Sequence, residues 1–218
     1  MAAHGRLHRA AIAVGAAVAL ASAATGAVAI RASLTPRLAA VPLISQSQPW
    51  TCGAAALMAT LIYFGVFDDA EAALAAELGT TPADGTRVKD IVAVAHRFGL
   101  AAEARTHMTL ADLDRQLAGG AVVIAALQAW PSHRVSDWRT DWNDGHYVVV
   151  VGLDSRRVFV MDPSVRTGYA YVARDEFLQR WHDFDVENDQ ITVWERLGIV
   201  IRGGAGLPRY PAAPTPVQ

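Results

Sequence analysis

The 218-residue chain reads as an α+β fold, on three observations. Segments with helical punctuation, each closed by glycine, fill the first half of the central region. Runs rich in valine and isoleucine fill the second half. Between two atypical termini lies a stretch of one domain's length, about 160 residues. Helices first and strands later place a helical half against an antiparallel sheet.

The elements follow in order. Residues 1–9 hold Arg6 and Arg9 and no acid, and residues 10–30 are apolar or small throughout. This is the pattern of a signal peptide, with small-residue cleavage sites at Ala21-Ser22-Ala23 and Ala27-Val28-Ala29. A run of about 20 residues is also long enough for an N-terminal membrane anchor. Both readings send the following domain out of the cytoplasm, so residues 1–31 are expected to be a signal peptide or anchor. Residues 32–40 are expected to be a linker and 41–202 the folded domain. Residues 203–218, rich in glycine and proline, are expected to be a disordered tail.

Within the domain, Thr51 is placed to cap a helix from Cys52 to Phe64, ended by Gly65. That helix is small and apolar nearly all round, which predicts a buried central helix. Asp68 or Asp69 opens a second helix, through Leu78, that Gly79 stops. A third spans about Arg87 to Phe98, before Gly99. Thr109 caps a fourth that ends at Gly119-Gly120. Strands are predicted at 121–128, 147–153, 157–161, 169–172 and 190–201, with one late helix over 174–181.

Composition narrows the function. The net charge of −2 and the absence of a basic stripe argue against a nucleic-acid partner. No GxxxxGK[ST] loop occurs, so the chain offers no ATP site. One cysteine rules out an internal disulfide and a thiolate metal cluster, and no cofactor or metal motif is read. A single thiol in an exported protein is exposed to oxidation and asks for a chemical role.

Cys52 supplies one. A cysteine in the first turn of a helix sits where backbone N–H groups and the helix dipole favour a thiolate. Gly53 beside it lets a substrate backbone approach. Gln46, six residues upstream, is a candidate donor to a developing oxyanion, together with the Cys52 N–H. His146 opens the apolar strand Tyr147–Leu153, and Asp162 ends the next one. A tight turn near Asp154-Ser155 would make His146 and Asp162 neighbours, with the acid orienting the imidazole. Asp154 is the next candidate for that acid. His182-Asp183, a rival His–Asp pair, reads as the end of the late helix. The insert 130–144, with Trp138 and Trp142, is either a wall of the cleft or a surface loop held by aromatic packing.

The order Val41-Pro42, Gln46, Cys52-Gly53-Ala54-Ala55, then Asp144-Gly145-His146-Tyr147-Val148-Val149, then Asp162-Pro163, resembles the C39 family of cysteine peptidases. These are papain-like domains known for processing bacteriocin leaders after a double glycine. The resemblance spans roughly Val41 to Trp181. It implies a papain-like fold and a peptide or protein substrate. It also implies Cys52 as nucleophile, His146 as general base and acid, Asp162 as orienting acid and Gln46 as oxyanion donor. Family transporters carry an ATPase, which has no counterpart here, and their peptidase faces the cytosol. Two other classes stay open: an amidase or transpeptidase acting on cell-wall peptides, and a catalytically silent peptide-binding module.

Overall fold

The computed structural model describes residues 38–203, so the expected signal or anchor segment and nearly all of the expected tail lie outside the described residues. Among the described residues, no helix is long and apolar enough to cross a membrane.

Helix α1 (Cys52–Tyr63) runs through the core with ten of its residues buried. Its apolar character on all sides is met by partners on all sides: α2 (Glu71–Glu77), α3 (Val88–Arg97) and one face of the main sheet. Glycines close these helices as expected, with Gly65, Gly79 and Gly99 at positive φ. Thr51 does not cap α1. Its hydroxyl turns back to the carbonyl of Gln48 at 3.1 Å, so the first N–H groups of the helix have no side-chain partner.

Among the described residues, the main sheet has six antiparallel strands in the order β1-β8-β2-β3-β4-β5. They are β1 (Ala101–Arg105), β2 (Val122–Gln128), β3 (Gly145–Leu153), β4 (Arg157–Met161), β5 (Ala170–Ala173) and β8 (Gly198–Arg202). α4 (Leu110–Ala118) and α5 (Arg174–Arg180) cover the second face. Ile124, Ala126 and Val149 therefore pack against α1, while Ala125, Leu127 and Val148 pack against the other helices. A strand buried on both faces needs no polar alternation, which explains the unbroken run Tyr147–Val151.

Three features depart from the sequence reading. A strand, β1, interrupts the helical half. The expected strand 190–201 is two strands, β7 (Gln190–Glu195) and β8, which break at Arg196 with φ 49° and join different sheets. His182-Asp183 does not end the late helix but opens β6 (His182–Glu187), which pairs with β7 in a separate hairpin. The expected linker also reaches the domain: Ala39 N–H donates to Val151 O at 2.7 Å, and Tyr169 donates to the carbonyls of Ala39 and Val41.

Thr109 caps α4 with a reciprocal box: its side chain accepts from Asp112 N–H at 3.1 Å, and the Asp112 carboxylate accepts from Thr109 N–H at 2.8 Å. Thr109→Val should lower stability by about 1 kcal/mol, read as a shift of the urea midpoint at constant slope, while Cys52 alkylation is unchanged.

Candidate active site

The α1 N-terminus, the start of β3 and the residue after β4 meet at one place. The β3–β4 hairpin sets this up, because its register pairs Val149 with Met161. His146 lies three residues before Val149 and Asp162 one after Met161, so both fall at the same end of the hairpin. His146 Nε2 is 2.8 Å from Asp162 Oδ1, and each residue is only 5% exposed. The other ring nitrogen is left for Cys52, which is near enough to raise the proton affinity of the imidazole. Cys52 is the first residue of α1 and is buried.

Burial by itself would push the His146 imidazolium down. The Asp162 hydrogen bond, followed by the contacts with Cys52, outweighs it and raises His146 to about 10. Burial likewise works to raise Asp162, but the His146 hydrogen bond and charge hold it below its ordinary value. Two further donors fix the carboxylate: Ser164 N–H at 2.8 Å to Oδ1 and Trp130 Nε1 at 3.1 Å to Oδ2. Trp130 reaches Asp162 from a backbone with φ 60°, an uncommon conformation for a large side chain.

Gln46 lies in the loop before α1, beside the segment that follows Asp162. Its N–H donates to Pro163 O at 3.1 Å, and its side-chain oxygen accepts from Ser164 Oγ at 3.2 Å. Both hydrogens of its amide go to carbonyls of its own loop, Gln48 O at 2.9 Å and Pro49 O at 3.1 Å. Without substrate, the loop before α1 curls back and uses the amide that the sequence reading expects at the oxyanion.

Asp154, the alternative acid, is at the far end of the hairpin, where it holds the turn by accepting from Arg156 and Arg157 N–H at 2.7 Å. The rival pair is separated too. His182 Nε2 donates to Asp141 O at 2.7 Å, and its ring lies against Trp142 with centroids 4.3 Å apart.

A cavity of about 340 Å³ opens beside Cys52. Trp50, Thr86, Trp142, Tyr147 and Asp183 are among its lining residues, so the insert 130–144 does wall the cleft, through Trp142. Two close approaches shape this wall. A Cβ on Gly53 would come within 2.6 Å of Thr86 Cβ, and one on Gly145 within 2.7 Å of the Asp183 carboxylate. Trp138 faces elsewhere, under the Arg180 guanidinium. Sequence reasoning missed Trp130 and Asp183 as site residues. Only the tryptophan-rich insert and the His-Asp dipeptide hinted at them.

The Peptidase C39 family model matches residues 40–187. No protein of curated function matches the sequence. Solved structures share the fold at low identity. A double-glycine-motif protease from an AMS/PCAT transporter, in complex with the leader peptide, is 19% identical with a TM-score of 0.51. The match covers 78% of this chain and 98% of that one. A C39-like peptidase from Bacillus anthracis is 17% identical with a TM-score of 0.56, again over 78% and 98%. The peptidase domain of Streptococcus ComA, a bifunctional ABC transporter of a quorum-sensing pathway, is 19% identical with a TM-score of 0.54, over 75% and 99%.

Asp183 generates a prediction. Burial, opposed by the Phe184 N–H bond and helped by Asp185, raises it from 3.8 to about 7. The folded state therefore binds a proton more tightly than the unfolded one, and the fold loses stability as pH rises from 3.8 to about 7. Asp183→Asn should raise Tm at pH 8 by about 5 °C more than at pH 5, measured by circular dichroism melting.

Proposed function

Because the chain belongs to the peptidase C39 family, we propose that it is an exported cysteine peptidase in which Cys52, His146 and Asp162 act as nucleophile, base and orienting acid. The observation that carries this reading is the buried imidazole of His146, bonded to Asp162 through Nε2 and raised in proton affinity by Asp162 and by the nearby Cys52.

The reaction is acyl transfer to sulfur. His146 takes the Cys52 proton, and its raised proton affinity, with Asp162 behind it, favours a thiolate–imidazolium pair. The thiolate attacks the peptide carbonyl. The uncapped first turn of α1 supplies the Cys52 N–H to the oxyanion. Gln46 joins it by giving up one of its two loop carbonyls. His146 then protonates the leaving amine, and water, deprotonated by the same imidazole, releases the acyl group. The substrate is a peptide laid across the cavity between Trp50 and Trp142. The leader-bound double-glycine protease among the neighbours makes peptides with paired small residues the first to try. The domain works outside the cytoplasm, on the strength of the charged and apolar pattern of residues 1–30. Protease accessibility of the domain in intact cells tests this placement.

Cys52→Ala should abolish cleavage of a peptide-library substrate and keep the circular dichroism spectrum. Turnover surviving in that variant removes Cys52 as nucleophile. In the same assay, wild-type Cys52 should alkylate rapidly with iodoacetamide at pH 6 and His146→Ala slowly. Equal rates in the two would favour the silent peptide-binding reading.

Trp130→Phe removes only the indole N–H from Asp162. Loss of one hydrogen bond to a charged carboxylate, worth about 1.5–3 kcal/mol, should lower kcat about tenfold or more with KM nearly constant. A change in KM alone would make Trp130 a wall of the substrate site and not a support for Asp162.

A further inference from the structure

The 130–144 insert, between β2 and β3, holds a second group of ionisable side chains that the peptidase reaction does not use. His133, Asp141 and Asp144 each present one ligating atom, and these atoms lie within 4.8 Å of one another. His133 Nδ1 is 3.7 Å from Asp144 Oδ2. Asp141 is 5% exposed. Its Oδ1 accepts from Asn143 N–H at 3.2 Å, but its Oδ2 is buried and, among the described residues, receives no donor. Asp144 Oδ2 is in the same position. No Lys or Arg of the described residues forms an ion pair with either carboxylate.

Two carboxylates facing one another away from water are costly. Each charge loses several kcal/mol of hydration, and like charges add repulsion. Backbone bonds hold both residues in place regardless. Asp141 O accepts from His182 Nε2 at 2.7 Å. Asp144 N–H donates to Gln128 Oε1 at 2.9 Å, and Asp144 O accepts from Ala129 N–H at 2.8 Å. The frame around them therefore holds the carboxylates side by side, and burial and the neighbouring Asp141 raise the proton affinity of Asp144.

The geometry points to a divalent transition cation of the zinc type, held by His133, Asp141 and Asp144. Imidazole nitrogen with carboxylate oxygen suits such an ion better than calcium, which takes oxygen alone. With bonds of about 2.0–2.2 Å, neighbouring ligand atoms of a tetrahedral site sit some 3.3–3.6 Å apart, and the 3.7 Å between His133 and Asp144 lies just above that range. His133 is the exposed member, Asp144 is partly exposed and Asp141 is buried, so an ion enters from solvent past His133 and meets the carboxylates behind it. The absence of a second cysteine, which rules out a thiolate cluster, leaves this nitrogen and oxygen site untouched. Bound there, the ion ties the middle of the insert to its end, two residues before His146. It steadies the wall formed by Trp142 without touching the reacting atoms.

The test uses the full chain carrying Cys52→Ser, so that the Cys52–His146 pair does not compete for the ion. Calorimetric titration with zinc chloride should show one ion per chain. Asp141→Asn and His133→Ala should each weaken it by about tenfold or more. His133 is exposed, so its variant keeps the test valid should Asp141→Asn fail to fold. Cobalt(II) in place of zinc should give a visible absorption band that His133→Ala shifts. The proposal is overturned by zinc uptake unchanged in both variants, by no uptake at millimolar zinc, or by calcium uptake indifferent to His133→Ala. These outcomes do not depend on peptidase activity.

Discussion

A buried imidazole facing a buried carboxylate organises this domain. Neither group tolerates an apolar interior alone, since an unpaired buried charge costs several kcal/mol. His146 and Asp162 are each 5% exposed, so the fold must bring them together and keep water away at once. The β3–β4 register does the first, and the Trp130 indole donates to Oδ2 of Asp162. A slip of one residue between those strands would turn the side chains to opposite faces and break the pair. That register is secured by core residues of both sheet faces, Val149 and Val151 on one side and Val148 and Val150 on the other.

The helical layer answers to the same requirement. α1 must deliver the Cys52 thiol to the imidazole from below, and it does so by packing closely against β3. Gly53 lies where a side chain would strike Thr86 and Tyr147, so the first turn can approach only because position 53 is glycine. Gln128 plays the matching part at the end of β2. Buried completely, it accepts from Asp144 N–H and donates to His182 O and Asp183. One amide thus joins the segment entering His146 to the β6–β7 hairpin that walls the cleft. Its loss would take a partner from three polar groups at once, so its role is to place neighbours rather than to react.

Much of this was legible in the sequence because it depends on local rules. Glycines at 65, 79 and 99 end helices by accepting positive φ, and a valine-rich run reads as a strand whichever face is covered. The Cys52, His146 and Asp162 positions were legible because each falls at the end of an element. What was not legible depends on distant partners. β1 has the sequence AAEAR, with no β-branched residue, and becomes a strand by pairing with β8. β6 reads as polar because it serves a two-stranded ribbon, and the apparent long strand 190–201 breaks where Arg196 adopts φ 49° and its N–H donates to Trp181 O. The Gln46 orientation was hidden for the same reason. Spacing places a residue near a site, but only the competing acceptors decide where its amide points.

That competition bears on how the site is poised. With the amide of Gln46 on the carbonyls of Gln48 and Pro49, and Thr51 turned back to Gln48, the loop before α1 satisfies itself. The first turn of the helix is left without a side-chain cap, and Cys52 in it lines the cleft. In the proposed reaction, an oxyanion arriving there replaces a neutral carbonyl as acceptor. Charge-assisted hydrogen bonds are roughly twice as strong as neutral ones, so exchanging one for the other favours the charged species selectively. A ground-state peptide carbonyl gains little from the same exchange. An amide committed to its own loop at rest is therefore compatible with catalysis, because its bond improves only when negative charge develops. Transition-state selectivity of this kind raises kcat without tightening substrate binding.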